Sequence, residues 1–527
     1  MINKKTKIVA TIGPASQKKT TLKKMVKAGM NVVRLNFSHG TYYQFREIIK
    51  TVREVEKELG VPVAIMQDLQ GPKIRVGDMP EKGILLKNGK IVILTAKNII
   101  GTDKEIPVQY KSLYKDVNKG DRILINDGMI ELQVIKVAQK KIHCKVTTGG
   151  KVFSRKGINV PTASISANPI TAKDRRDLMF GLENNVDFVA MSFVKDNTNI
   201  EELRDMIRRK EGQTKIIAKV ERHEAVKNLE KIIKESDGVM VARGDMGVEI
   251  SPEKVPLIQK KMIHLANIHG KPVITATEML QSMIENPRPT RAEVSDIANA
   301  VIDNTDAIML SNETAVGKYP VEAVKIMAKV AALTEKDLQK HRHFLPNRLF
   351  TGKFPVSYAT CASAAKLAAG INAKLIVAVT FSGFTAQHIS KHRIFIPIIA
   401  VTQNPKVQKQ LQLVWGVKKE IKNKSIILRK KLEDINLQRE NHHIKELEEM
   451  IGHLFNFSNL ADKGIGSLNP PKPSRPPYRK RTRVIIANVP RPRLRQSGAN
   501  QIGMRNRNKN NNFHQRKIHQ KPIKARA

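Results

Sequence analysis

An α/β fold is predicted: a (β/α)8 TIM barrel with an inserted small β-barrel lid domain, followed by a C-terminal α/β domain. Three observations predict it. Eight short apolar runs alternate with amphipathic helical patterns across the first two thirds of the chain, the rhythm of a parallel sheet covered by helices. One interval, between the third run and the fourth, breaks that rhythm with short alternating stretches and tight turns. Polar or charged residues also follow the runs: Arg34 and Asn36 the second, Asp68 the third, Ser192 the fourth, Lys219 and Glu221 the fifth. Arg243 and Asp245 follow the sixth, Thr277 the seventh, and Ser311 with Glu313 the eighth. A closed barrel gathers such ends on one face, where the fold keeps its chemistry. An open doubly wound sheet, the alternative on pattern alone, would leave the first and last far apart.

The runs are Lys7–Ile12, Asn31–Leu35, Pro62–Gln67, Asp187–Ser192, Lys215–Val220, Gly238–Val241, Pro272–Ala276 and Ala307–Leu310. Each is short, apolar and bounded by turn signals, as buried parallel strands are. Helical spacing marks Thr20–Ala28, Tyr43–Leu59, Asn199–Lys210, Glu224–Glu235, Lys254–His269 and Arg291–Ile302. The barrel is expected over residues 1–70 and 160–336.

The insert, 71–159, has alternating runs at Lys90–Leu94, Arg122–Ile125, Ile130–Val137 and Lys141–Thr147, punctuated by Asn88-Gly89, Lys119-Gly120 and Asp127-Gly128. That is the signature of antiparallel hairpins. A mobile cover for the barrel mouth is its natural use; a passive insertion is the alternative. After a long helix at Val321–Glu335, an α/β domain is expected over 337–462: helix Tyr358–Ala369, strand Lys374–Val379, helix Ala386–Lys391 and strand Pro397–Val401. Its periodicity decays from Lys418. Residues 463–527 read as a basic, Pro- and Asn-rich, largely irregular tail, disordered at Arg505–Ala527.

Composition narrows the function classes. A chain of 527 residues holds several domains and a large core. Its two cysteines, Cys144 and Cys361, exclude a disulfide framework and fit a reducing cytoplasm. No run resembles a membrane span or a signal peptide, so a cytoplasmic protein without a membrane partner is expected. The formal net charge is +45, and residues 463–527 supply 18 Lys and Arg with no acid, leaving 75 basic against 48 acidic residues in 1–462. A basic body suits nucleotides and other anionic ligands. The tail would bind polyanions non-specifically by counterion release. With Tyr478 and Phe513 as its aromatics, it offers little stacking for nucleic-acid readout.

The strand ends pose a physical problem. Glu221 and Asp245, from adjacent strands, suit a shared hard divalent cation, since Mg²⁺ takes one or two carboxylates and leaves the rest to water and phosphate. The alternative is an ion pair with Lys219 or Arg243. Gly244 lets backbone N–H groups approach an anion at a helix start. Arg34 and Lys219 add positive charge where phosphoryl oxygens would sit. Metal, cations and an enclosed mouth are what phosphoryl transfer requires.

The motifs resemble those of the pyruvate kinase family. They are TKIVATIGPAS (Thr6–Ser16), NVVRLNFSHG (Asn31–Gly40), DLQGPKIRVG (Asp68–Gly77), KGINVP (Lys156–Pro161), KIIAKVE (Lys215–Glu221), DGVMVARGDMGVEI (Asp237–Ile250), PVITATEML (Pro272–Leu280), NPRPTRAEVSDIANAV (Asn286–Val301) and MLSNETAVGKYPVEAV (Met309–Val324). The resemblance implies a glycolytic phosphotransferase: phosphoenolpyruvate and ADP give pyruvate and ATP through an enolate. It implies Mg²⁺ or Mn²⁺ at Glu221 and Asp245, and Lys219 stabilising the transferring phosphoryl group and the enolate. Arg34 resembles the phosphoryl-binding arginine. Gly244 with Asp245 resembles the substrate carboxylate turn, and Thr277 lies near protonation, with Ser311 and Glu313 in the proton relay. Asn36, Ser38, His39, Arg75 and Lys156 match nucleotide-side positions. Another phosphoenolpyruvate-type lyase on a related barrel and a poorly active family member are the alternatives.

One local departure concerns the monovalent cation. Asn36, Ser38 and Asp68 stand as in the K⁺-using members, but Leu69, Gln70, Lys73 and Val76 replace the family's usual Thr-Lys…Glu…Thr set. The pattern is similar to the K⁺-independent branch, with the Lys73 ammonium supplying in cis the charge of K⁺. K⁺ is expected not to be required.

In the third domain, Thr380, Ser382, Gly383 and Thr385 resemble the loop that holds a sugar-phosphate effector; a plain turn is the alternative. The resemblance implies a homotetramer, but the match is lost after about Val417, within the domain that makes part of its contacts. Arg483–Pro490 (RVIIANVP) and Ser497–Asn500 resemble the family's closing strand and loop.

Overall fold

The computed structural model describes residues 2–341, 355–421 and 483–487. Arg483–Ala487, within the stretch read as the basic tail, is a strand, as its likeness to a closing strand leads one to expect. Expectations for the rest of that tail, for the Pro-rich stretch and for most of 418–482 lie outside the described residues.

The eight predicted runs form a closed parallel barrel: Lys7–Thr11, Val32–Asn36, Ala64–Asp68, Phe188–Met191, Lys215–Val220, Gly238–Ala242, Val273–Ala276 and Ala307–Leu310. The last strand pairs with the first, Lys7 opposite Ala307. Alternation along each strand separates two cores. Val9, Val32, Ala64, Met66, Phe188, Ala190, Ile217, Met240, Ile274, Ala276, Ala307 and Met309 form the cluster inside the ring. Their neighbours in sequence, such as Ala10, Val33, Ile65, Ala218 and Ile308, join the larger core shared with the outer helices.

Those helices begin where the sequence supplies caps. Thr41, Thr171, Asp196 and Thr290 each close a capping box with the residue three positions on, satisfying N–H groups that the helix cannot. The stretch predicted as one helix over Glu224–Glu235 is instead two, His223–Lys227 and Leu229–Glu235. Asn228 sits at the break, and its side chain donates to the Lys195 carbonyl at 3.1 Å. Sequence spacing also overlooked helix Ala172–Glu183.

The insert builds a six-stranded sheet and a two-stranded one around a single core that includes Val92, Leu94, Ile123, Leu132 and Val146. Its neighbours are antiparallel except Ile91–Thr95 and Glu105–Pro107, which run parallel. Gly89, Gly120 and Gly128 have φ of 79°, 95° and 86°, the left-handed turns their positions anticipate.

The α/β domain has a sheet ordered Val417–Ile421, Ile398–Val401, Leu375–Val379, Arg483–Ala487, the last antiparallel. It closes the barrel's lower end. Leu413 joins the cluster inside the ring. Arg393 forks onto Asp306, Nη1 to Oδ1 at 3.1 Å and Nη2 to Oδ2 at 2.8 Å, just before the eighth strand. Bidentate pairing of this kind is the strongest ion-pair geometry a protein has.

Candidate active site

The barrel's inward stripe does not stop at its apolar layers. Continuing each alternation by one step gives Thr11 after Val9, Arg34 after Val32, Asp68 after Met66, Ser192 after Ala190 and Lys219 after Ile217. These side chains meet. Lys219 Nζ lies 2.8 Å from Glu221 Oε1 and 3.3 Å from Asp68 Oδ1, and donates to Ser192 Oγ at 2.8 Å. Arg34 Nε holds Asp68 Oδ2 at 2.7 Å, and its Nη1 donates to Thr11 Oγ1 at 2.8 Å. Glu221 Oε2 accepts from Phe193 N at 3.0 Å. Two cations and two carboxylates thus form one balanced cluster.

Burial sharpens it. Asp68 is 1 % exposed, Glu221 2 % and Lys219 9 %. Burial alone would push the Lys219 ammonium down, but Asp68, Glu221 and Asp245 outweigh it and raise its pKa. Asp68 shows the same balance in reverse: burial pushes it up, and Lys219 with Arg34 brings it below the usual carboxylate range. Burial raises Glu221 despite Lys219. Such a carboxylate gains from a further cation.

The sixth strand delivers the next groups. Helix Arg243–Glu249 follows Gly238–Ala242 directly. Gly244 N donates to Thr277 Oγ1 at 2.8 Å. Thr277 has φ +67° and Glu278 φ +54°, a left-handed conformation costly for a β-branched residue and one that collects at functional sites. Arg243 clamps it, donating to Thr277 O at 2.5 Å and Ala276 O at 3.1 Å. The guanidinium itself pairs with Asp296, at 2.6 and 2.8 Å, leaving Asp245 to Lys73 at 3.9 Å. Of the two ion pairs weighed against a metal site, the Lys219 pair with Glu221 forms, and Arg243 turns elsewhere.

Ser311 and Glu313 are neighbours: Glu313 Oε2 accepts from Ser311 N at 2.7 Å and Oε1 from Leu280 N at 3.1 Å. Glu313 therefore ties the eighth strand's end to the turn after Thr277. Asn36 opposes Asp68 in the sheet register, and Asn36 Oδ1 accepts from Ser38 N at 3.2 Å while His39 N reaches Asn36 O at 3.2 Å. At the root of the insert, Arg75 bridges Gly157 and Val76 N donates to Lys156 O at 2.9 Å, which makes Arg75 and Lys156 neighbours. The loop Thr380–Thr385 lies apart, at the end of Leu375–Val379, with Gly383 at φ +85° heading helix Phe384–Ser390.

Sequence reading missed Thr11, Ser192 as a partner of Lys219, and Phe193. The signal for the first two was available: a period of two carried one step past the last apolar residue.

Glu221 and Asp245 fit a hard divalent cation. Their oxygens are the donors such an ion prefers, Glu221 is a carboxylate raised by burial, and the ion pair of Asp245 among the described residues is a long one, 3.9 Å to Lys73. Among the described residues, no cluster of three or more His, Cys, Asp or Glu offers a competing site.

Comparison with known proteins agrees with this geometry. The family model "Pyruvate kinase, barrel domain" matches residues 3–324 and "Pyruvate kinase, alpha/beta domain" matches 358–452. The second match corrects the sequence reading, which lost the likeness after about Val417. Pyruvate kinase 2 of Synechocystis sp. is 47% identical over 419 residues, 79% of this chain and 70% of its own. The pyruvate kinase of Geobacillus stearothermophilus is 46% identical over 419 residues, 79% and 71% of the two chains. A crystal structure of a pyruvate kinase from Cryptosporidium parvum superposes with a TM-score of 0.77 at 38% identity, covering 82% of this chain and 91% of that one. The chain belongs to the pyruvate kinase family.

Proposed function

We propose that the chain transfers the phosphoryl group of phosphoenolpyruvate to ADP at the Lys219 cluster, leaving an enolate that is protonated to pyruvate. The observation that carries this reading is the convergence of Arg34, Asp68, Lys219 and Glu221 where the barrel's apolar filling ends. Phosphoryl transfer asks a protein for position and charge rather than covalent chemistry. Arg34 and Lys219 supply positive charge for the transferring group, and both are held by Asp68 before substrate arrives. Lys219, kept protonated by its three carboxylate neighbours, also balances the enolate oxygen. Glu221 and Asp245 would hold Mg²⁺ or Mn²⁺, which supplies Lewis-acid polarisation of the phosphoryl and enolate oxygens.

Gly244, Asp245 and Thr277 orient the substrate's carboxylate end. Thr277, with Ser311 and Glu313, stands on the side that delivers the proton to the enolate carbon. Asn36, Ser38, His39, Arg75 and Lys156 receive ADP, the last two from the insert. Lys73, beside Asp245, takes the place of K⁺, so none is required. A sugar-phosphate effector at Thr380, Ser382, Gly383 and Thr385, the domain boundaries at 70, 159, 336 and 462, and a cytoplasmic location complete the reading. No helix among the described residues is long and apolar enough to cross a membrane.

A coupled assay with phosphoenolpyruvate, ADP and Mg²⁺ tests the reading. Pyruvate formation that requires all three supports it, and no turnover above the uncatalysed rate removes it.

A further inference from the structure

We propose that Glu249 and Asn159 are a positioning pair that fixes the insert, and with it Arg75 and Lys156, relative to the carboxylates Glu221 and Asp245. The inference rests on the reading of the site given above. Helix Arg243–Glu249 opens with Gly244 and Asp245 and closes on Glu249. There Asn159 Nδ2 donates to Glu249 Oε1 at 2.8 Å. Asn159 belongs to the short strand Ile158–Asn159, paired with Arg122–Ile125 of the insert. It lies three positions from Lys156, whose carbonyl accepts from Val76 N, and next but one to Gly157, which bridges Arg75. One hydrogen bond therefore joins the helix of Asp245 to the short strand that directly follows Lys156 and Gly157.

A second tie runs beside it. Arg222, the residue after Glu221, donates from Nη2 to Ala163 O at 3.3 Å, on the insert's return to the barrel. The same guanidinium holds Glu224, both contacts at 3.1 Å. Both segments that bear the metal carboxylates thus reach the root of the insert.

The chemistry of Glu249 separates a positioning role from simple packing. It is 5 % exposed, and its Oε2 has no hydrogen-bond partner among the described residues. A buried carboxylate with one bare oxygen is costly, and an apolar side chain of similar volume commonly serves a packed position better. Glu249 retains one specific function that such a residue lacks: an acceptor for Asn159. Both residues act through the insert.

The test measures Mg·ADP binding by titration calorimetry on the full chain, beside exchange of pyruvate methyl protons with D₂O, a reaction that does not use Arg75 or Lys156. Glu249→Ala and Asn159→Ala are each expected to weaken ADP binding about tenfold, with the exchange rate changed less than about twofold. Glu249→Gln, which keeps the acceptor, is expected to stay within about threefold of the parent, and the double alanine variant to be no weaker than the stronger single one. Unchanged ADP binding, multiplied effects in the double variant, or loss of methyl exchange in step with ADP binding would each overturn the proposal. Should Glu249→Ala not fold, the partly exposed Asn159→Ala decides alone. Absence of turnover in the parent would sink the site reading while the calorimetric comparison still judged the pair.

Discussion

Lys219 Nζ stands 3.3 Å from Asp68 Oδ1, while Arg34 holds the other oxygen of the same carboxylate at 2.7 Å. One buried acid thus fixes both cations on which the phosphoryl group would rest. Asp68→Ala leaves Arg34 and Lys219 without it, and removing one partner of a buried ion pair costs about 3–5 kcal/mol. Urea denaturation should register that loss, with turnover falling at least a hundredfold, or about 3 kcal/mol in transition-state stabilisation. Stability within about 1 kcal/mol of the parent would show that Asp68 is not the anchor.

Thr277 is held in a strained backbone conformation. Its left-handed backbone costs on the order of 1–3 kcal/mol, and its hydroxyl receives the Gly244 N–H. Thr277→Gly removes the strain and the hydroxyl together. The variant should be no less stable than the parent, with turnover reduced about a hundredfold or more. A stable, fully active variant would leave the hydroxyl without a part in the reaction.

The Lys73 ammonium sits 3.9 Å from Asp245 Oδ1. Initial rates should be equal in Na⁺, K⁺ and tetramethylammonium buffers, and Lys73→Glu should become K⁺-activated. A large activation of the parent by K⁺ alone would sink the assignment.

Acid stability should be set in part by His388. Burial pushes its pKa down to about 3, the ring stacks on Phe384 at 3.8 Å, and Nε2 has no hydrogen-bond partner among the described residues. The unfolded chain binds this proton first, near pH 6.5. Stability is therefore lost as pH falls from about 6.5 toward 3, by up to about 1.4 kcal/mol per unit. Urea midpoints at pH 7 and pH 5 should differ less in His388→Leu than in the parent; an equal difference would assign the acid sensitivity elsewhere.

Much of the fold was legible because the barrel repeats one local rule. A short apolar run between turn signals became a strand each time, and helix Arg291–Ile302 was placed to the residue. What escaped was set by tertiary contacts. Asn228 breaks a helix for the sake of the Lys195 carbonyl, and periodicity carries no trace of that. The motif residues came from resemblance. Their partners Thr11 and Ser192 followed from strand alternation and were left unused. The Arg243 pairing with Asp296, and that of Glu249 with Asn159, join residues 53 and 90 positions apart, a distance that no local pattern spans.

In the proposed reaction Lys219 offsets the negative charge that develops on the phosphoryl and enolate oxygens. Lys219→Met should lower turnover of phosphoenolpyruvate and ADP with Mg²⁺ at least about a thousandfold, while ADP binding and circular dichroism match the parent. Turnover within about tenfold of the parent would contradict it.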